Sequence, residues 1–404
     1  MTMRTDNKLV LAVFFGGPGV EHDVSVLTGL QILDGLDPAR YDAFPVYWGL
    51  DGVWRMGDAL RERRNYLPDA AMRRALDEVR LALGRPQARP CLESTRRHVL
   101  GAGRRYEFDL AIPAFHGDLG EGGAFQGLLD CAGIPYIGSP VAPCAVALNK
   151  MMAKTLFKGL GVPTLPGQLI QRPAPERMQD MPQLAQSLSV PYPVCIKPNN
   201  LGSSVGVTRA QNAQQALAGL QQVFRLDTAA LIEPFVEDLV EYNLAVMRGS
   251  DGQILYSAIE RPLRASEVLD FKDKYLSGGD LDSKLAAPMD MGMASATREF
   301  HPKALPEDQA QTLRIWAGRI FEGLEARGTI RIDFIGHAGT GELWANEVNI
   351  CPGSLAYYLW EQAQPRLLLR DLLTQLVEQA RIDARQAHRV TDPAQAASAI
   401  FRRK

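Results

Sequence analysis

The 404-residue chain is 46% hydrophobic and 22% charged, which excludes a disordered or fibrous protein and leaves room for two or three domains. A formal net charge of −2 offers no footing for nucleic acid or an anionic membrane surface. Five scattered cysteines (Cys91, Cys131, Cys144, Cys195 and Cys351) with no CxxC pair point to reduced thiols rather than a disulfide or zinc framework.

The opening MTMRTDNKLVLAVFFGGPG carries neither a cleavage site nor an apolar stretch of spanning length, so a cytoplasmic chain is expected. Leu9 to Phe15 reads as a buried parallel strand ending in the loop Gly16-Gly17-Pro18-Gly19, followed by a helix through Leu33. Read from Gly17, the third glycine of a dinucleotide fingerprint falls on His22, which argues against a nicotinamide dehydrogenase. A second strand is expected over Ala43 to Trp48. The arginine-rich stretch from about Gly57 to Arg105 reads as an elaboration on the first domain, with a helix around Asp69 to Leu83 and a solvated face. Phe108 to Phe115 reads as a third strand. His116 and Gly117 follow it at the ligand end of an open α/β sheet, although taken in isolation the histidine reads as a helix-capping or core residue.

A helix from Pro143 to Gly167, ending at Gly161-Val162-Pro163, is predicted to carry Lys150 and Lys154. Val194-Cys195-Ile196 reads as a short buried strand with Lys197 off its end. The following Gly202-Ser203-Ser204-Val205-Gly206 is either a plain turn or a loop able to fold over phosphates. No Gly-Lys pair exists, so a Walker-type loop is absent, and any ATP would be held by lysines such as Lys150 and Lys197. Pro234 within Leu231 to Val236 suggests an edge or hinge strand. Lys274 and Tyr275 lie before a polar, methionine-rich segment, either a lid or a solvated loop. Pro306 to Ala326 has the spacing of an amphipathic helix, and Leu367 to Ala380 is also helical.

The stretch Gly328 to Gly353, GTIRIDFIGHAGTGELWANEVNICPG, reads as a hairpin. Ile330, Ile332 and Phe334 alternate with Arg331 and Asp333, and residues two apart on a strand share a face, which puts Glu347 with Asn349. A hairpin with outward polar residues is ordinary. Two carboxylates and an amide also make a hard oxygen cluster suited to Mg²⁺, with Arg331 beside it for a developing negative charge.

In chain order, FFGGPGVEHDVSV, AFHGDLGEGGAFQGLLDCAGIPYIGS, LNKMMAKTLFKGLGVPTLP, YPVCIKPNNLGSSVGV, DFKDKYLS and GTIRIDF…ANEVNICPGS resemble the D-alanine–D-alanine ligases, a branch of the ATP-grasp superfamily. The resemblance implies an α/β, three-domain ATP-grasp architecture. It has an N-terminal Rossmann-like parallel sheet (residues 1–142, with the 57–105 insertion), a central α+β domain (143–245) and a C-terminal one (246–404). It also implies a homodimer that uses ATP with Mg²⁺ or Mn²⁺ to join two D-alanines through an acyl phosphate, for peptidoglycan precursors. By position, Glu21 would hold the first substrate's ammonium with Ser203 and Tyr275, and His116 would lie beside it. Lys150, Lys197 and Ser204 would contact the nucleotide phosphates, and Lys274 the γ-phosphate. Glu233, Val236 and Glu241 would meet adenine and ribose. Asp333, Glu347 and Asn349 would ligate the metal. Arg331 and the Gly353 N–H would stabilise the oxyanion, and Tyr358 and Leu359 would meet the second substrate.

The chain departs from the family at Gly122, where an acidic residue is usual, and at Leu269, where an aromatic is. One extra residue precedes Glu241. Ser354-Leu355 replaces Met-Thr, and Tyr358 replaces a serine that contacts the second substrate's carboxylate. Two alternatives therefore stand: a related ligase with a different second amino acid or amine, and a non-catalytic ATP-binding protein.

Overall fold

The computed structural model describes residues 8–66, 75–83, 89–95, 103–263 and 298–387. The described residues build three sheets. In the first, β1 (Leu9–Gly16) leads through α1 (His22–Gly35) to β2 (Tyr41–Trp48). Then come β3 (Trp54–Met56), β4 (Asp77–Ala82), β5 (Cys91–Ser94), β6 (Arg105–Glu107) and β7 (Leu110–Pro113), in the spatial order β6-β5-β4-β3-β2-β1-β7. The strands β2, β1 and β7 run parallel, and β3 to β6 pair antiparallel. Among the described residues the parallel part of the first sheet is three strands, and β3 with the strands of the arginine-rich insertion forms its antiparallel extension.

Part of the helix expected near Asp69 to Leu83 is β4 instead. Val79 and Leu81 alternate with Glu78 and Arg80, and that period of two outweighs the helix-favouring composition. The remainder of that stretch lies outside the described residues. Gly16 closes β1 at φ +95°, where a Cβ would meet the Trp48 carbonyl at 2.3 Å, so the turn toward Glu21 requires glycine.

After α2 (Ala124–Cys131) the predicted long helix is two, α3 (Val141–Leu148) and α4 (Lys150–Gly159). They break at Asn149, whose side chain accepts the Met152 N–H at 3.0 Å and so starts a new helix at Lys150. The second sheet holds β8 (Gln168–Gln171), β9 (Val194–Pro198), β10 (Thr208–Ala210) and, after α5 (Ala213–Val223), β11 (Ala229–Pro234), in the order β10-β9-β11-β8. The strand around Pro234 reads from the sequence as an edge or hinge strand. It lies between β9 and β8, and the proline is tolerated as its last residue.

The third sheet, β14-β13-β12-β15-β16, contains β12 (Leu239–Arg248), β13 (Ile254–Pro262), β14 (Arg298–Phe300), β15 (Thr329–His337) and β16 (Leu343–Asn349). Between β14 and β15, α6 (Glu307–Gly323) packs Leu313, Ala317, Ile320 and Phe321 on this sheet, as its period predicts. Ile330, Ile332 and Phe334 are fully buried beneath it, each contributing about 1.5–3 kcal/mol by burial.

One face of the first sheet (Leu11, Val13, Phe15) shares a core with α1, the segment Leu355–Trp360 and α7 (Leu369–Ala387). The first and last parts of the chain therefore close on each other. Among the described residues no helix is long and apolar enough to cross a membrane.

Candidate active site

The three sheets meet around a cavity of about 260 Å³ lined by Glu21, His116, Lys150, Lys197, Ser203, Ser204, Glu233, Val236, Glu241, Arg331, Asp333, Glu347, Asn349, Gly353 and Tyr358, among others. Nearly all the residues singled out in the sequence thus converge. In the β15–β16 pair Asp333 faces Glu347 and Arg331 faces Asn349 across the ladder. Arg331 grips Asp333 with both ends of its fork, Nε to Oδ1 at 2.6 Å and NH2 to Oδ2 at 2.8 Å. Asn349 donates to the same carboxylate at 3.0 Å. Burial opposes the Arg331 charge, yet Asp333 more than compensates, and the guanidinium stays firmly protonated.

The lysines lie beyond Asp333. Lys150, the first residue of α4, donates to the Leu201 carbonyl and sits 3.9 Å from Glu347. Burial pushes its ammonium down. Lys197 reaches Asn346 at 3.0 Å and Glu233 at 2.5 Å. Glu233 is also paired with the buried Lys154. Burial works to raise the Glu233 carboxyl, but the two lysines overcome it and hold it below the ordinary range. The Glu233 side chain is therefore engaged by lysines; the role of Lys154 is not legible in the sequence, because its partner is 79 positions away in the chain.

At the other end, the loop after β9 places Ser203 and Ser204 at φ +52° and +57°, and the Ser203 hydroxyl donates to Glu21. His116 shares a hydrogen bond with the Thr28 hydroxyl at 2.9 Å, and that oxygen accepts the Ser354 N–H at 3.1 Å. Burial, with help from the Arg331 charge, lowers the imidazole to about 4, so it is neutral at physiological pH.

Glu121 is a cavity residue that sequence reasoning passed over in favour of its neighbour Gly122. It accepts the N–H groups of Gly117 (3.1 Å) and Cys351 (3.2 Å), tying the loop after β7 to the backbone just before Gly353. Burial and the nearby Glu21 raise its carboxyl to about 8.

Beyond Gly353, Ser354, Leu355 and Ala356 are all left-handed (φ +54°, +55° and +52°). Their turn delivers Tyr358 to the cavity, where its hydroxyl lies 3.5 Å from Arg331 NH1 and 3.3 Å from Glu260 Oε1. Glu260 also accepts from Asn243 at 2.8 Å and Arg298 at 2.9 Å, and the Arg298 guanidinium stacks 4.2 Å from the Tyr358 ring centroid. None of Asn243, Glu260 or Arg298 stood out in the sequence. Leu359, expected to touch substrate, is fully buried in the core with α7 and does not line the cavity, because neighbouring residues in this short helix point different ways. Lys274 and Tyr275 lie outside the described residues.

Comparison with known proteins follows this geometry. Residues 10–139 match the family model of the D-ala D-ala ligase N-terminus and residues 156–378 that of the D-ala D-ala ligase C-terminus. The chain is 31% identical over 387 residues to D-alanine--D-alanine ligase A of Bradyrhizobium diazoefficiens, covering 93% of this chain and 95% of that one. In fold it is similar to the D-alanine-D-alanine ligase of Coxiella burnetii (TM-score 0.74, 23% identity, 97% and 99% coverage). It is also similar in fold to the Bacillus anthracis D-alanine--D-alanine ligase complexed with ATP (TM-score 0.61, 20% identity, 94% and 99% coverage). The chain belongs to the D-alanine–D-alanine ligase family.

Proposed function

We propose that this chain is an ATP-dependent ligase that forms D-alanyl-D-alanine for peptidoglycan precursors. The observation that carries the reading is the single face shared by Arg331, Asp333, Glu347 and Asn349, with Tyr358 on one side and two lysines on the other. A pure nucleotide-binding module has no use for a buried guanidinium between an acidic cluster and a second substrate's path. Three sheets support three domains, the first ending near residue 142 and the second just before β12 rather than at 245, with ATP between the central and C-terminal ones.

The donor set fits a hard divalent cation. Asp333 and Glu347 face each other, and Asn349 would ligate by turning its amide oxygen toward the site, a rotation about its terminal torsion. Bound there, Mg²⁺ or Mn²⁺ would neutralise phosphate charge. Lys150, Lys197, Ser204 and Lys274 hold the phosphates, while Val236, Glu241 and the backbone at Glu233 meet adenine and ribose. Glu21, with Ser203, Tyr275 and the neutral His116 nearby, orients the first D-alanine by its ammonium. Its carboxylate takes the γ-phosphoryl group as ADP leaves, and positioning does most of the work. The second amine then forms the C–N bond, phosphate departs, and the amine gives up a proton. Arg331 and the Gly353 N–H face the oxygen on which negative charge builds. The reading includes a cytoplasmic homodimer.

Incubation with ATP, Mg²⁺ and D-alanine tests this. Release of phosphate matched by dipeptide is expected, and no turnover above background refutes it. Tyr358 favours one second reading, a ligase with a different acceptor amine, which a screen of amino-acid pairs for ADP release distinguishes.

A further inference from the structure

The ligase reading leaves open what receives the acceptor's carboxylate, a charge that is costly to bury unless it is paired. The surroundings of Arg331 divide the cavity. Its Nε and NH2 face Asp333, whereas NH1 faces the Tyr358 phenol. The phosphate side is therefore the Asp333 side, and the acceptor approaches from the Tyr358 side. Among the described residues, the arginines and lysines lining the cavity are Lys150, Lys197, Arg298 and Arg331. Both lysines belong to the phosphate side through Glu347 and Glu233.

A tyrosine hydroxyl carries one proton, and here it points to Glu260 while the oxygen accepts from Arg331. That phenol is poorly placed to donate to a carboxylate. Arg298 stands directly across it, stacked on the ring at 4.2 Å and held by Glu260 at 2.9 Å. Its side chain is only 11% exposed, and it lines the same cavity. A guanidinium has five N–H donors in a fixed fork, enough to serve Glu260 and a second carboxylate in different directions. Glu260 also accepts hydrogen bonds from the Asn243 amide and the Tyr358 hydroxyl, so it does not depend on every donor of the guanidinium.

We propose that Arg298, stacked on Tyr358 and oriented by Glu260, binds the carboxylate of the acceptor amino acid. The assignment rests on the ligase reading and adds a specificity-determining residue to it. Its test is a competition in one vessel: enzyme, ATP, Mg²⁺, D-alanine and an equal concentration of D-alaninamide, whose carboxamide is the size of a carboxylate but neutral. Mass spectrometry reads the ratio of dipeptide to dipeptide amide, which does not depend on how much enzyme is folded. Arg298→Met is expected to lower that ratio by about tenfold or more relative to the unmodified enzyme, and Arg298→Lys by less. Should Arg298→Met fail to fold, Arg298→Gln, which keeps an N–H donor for Glu260, provides the same comparison. Total product falling while the ratio stays constant would show that Arg298 only supports Tyr358, and would overturn the assignment. An unmodified enzyme that makes neither product would instead sink the ligase reading, and this assignment with it.

Discussion

Arg331 holds Asp333 with one edge of its guanidinium and reaches the Tyr358 hydroxyl with the other, so in the proposed reaction its removal should strike transition-state charge more than nucleotide binding. Arg331→Met is expected to lower kcat by about 10²–10³-fold with a much smaller change in KM for ATP, measured by steady-state phosphate release. Glu121 yields a pH prediction. Its folded-state carboxyl titrates near 8, above the ordinary value of 4.5, so between those limits the folded chain holds a proton that the unfolded chain has lost. The stability this contributes is complete below about pH 4.5 and is lost as pH rises toward 8. Thermal melts of Glu121→Gln should accordingly decline less between pH 5 and 8 than those of the unmodified protein; parallel declines would show that Glu121 ionises normally. At this scale the sequence revealed residues whose meaning is local. Asp333, Glu347 and Asn349 could be placed on one face by counting in twos. Glu260 and Arg298 could not, because an ion pair between β13 and β14 and a stack on Tyr358 join positions far apart in the chain.

Elements were readable wherever burial followed a clean period. β15 and α6 are of this kind, their apolar positions repeating in twos and in threes and fours. The insertion was not, because the period of two in β4 is too brief to stand out from a helix-favouring composition, and β5 is held by its pairing across the sheet. The break before α4 was hidden by continuous helical composition on both sides of Asn149. Asn149→Ala should cost about 1 kcal/mol in urea unfolding through loss of the cap. It should also raise KM for ATP, since the cap sets where Lys150 begins; an unchanged KM would separate the two. Leu359 sits within the packing of α7 against the first sheet, and Leu359→Ala is expected to lose about 2–5 kcal/mol. Unaltered stability with a changed acceptor preference would restore the sequence-based expectation of a substrate contact.

At the scale of the whole molecule, the cavity draws Glu21 and His116 from the first sheet, the serine loop from the second and the acidic cluster from the third. The apolar face made by Leu11, Val13 and Phe15 is covered partly by residues beyond 354. Residues 1–142 expressed alone should therefore expose that face and bind a hydrophobic dye that the full chain does not. A compact, dye-free fragment would show that the first domain stands by itself. The family was recognisable because six short stretches keep their order along the chain. How the three sheets close on one cavity lay beyond sequence reasoning, since it depends on packing between distant segments.

The run of left-handed residues at Ser354, Leu355 and Ala356 has a bearing on how this enzyme can change. Each costs roughly 1–2 kcal/mol in a residue with a side chain, so the joint persists only because its surroundings hold it. Adding or deleting one residue there would swing Tyr358 out of the cavity and pull Leu359 from its seat. New acceptor preferences are thus reached by exchanging side chains around an unaltered hinge length, and loop-length variation, the common route to new specificity elsewhere, is closed to this enzyme at that joint.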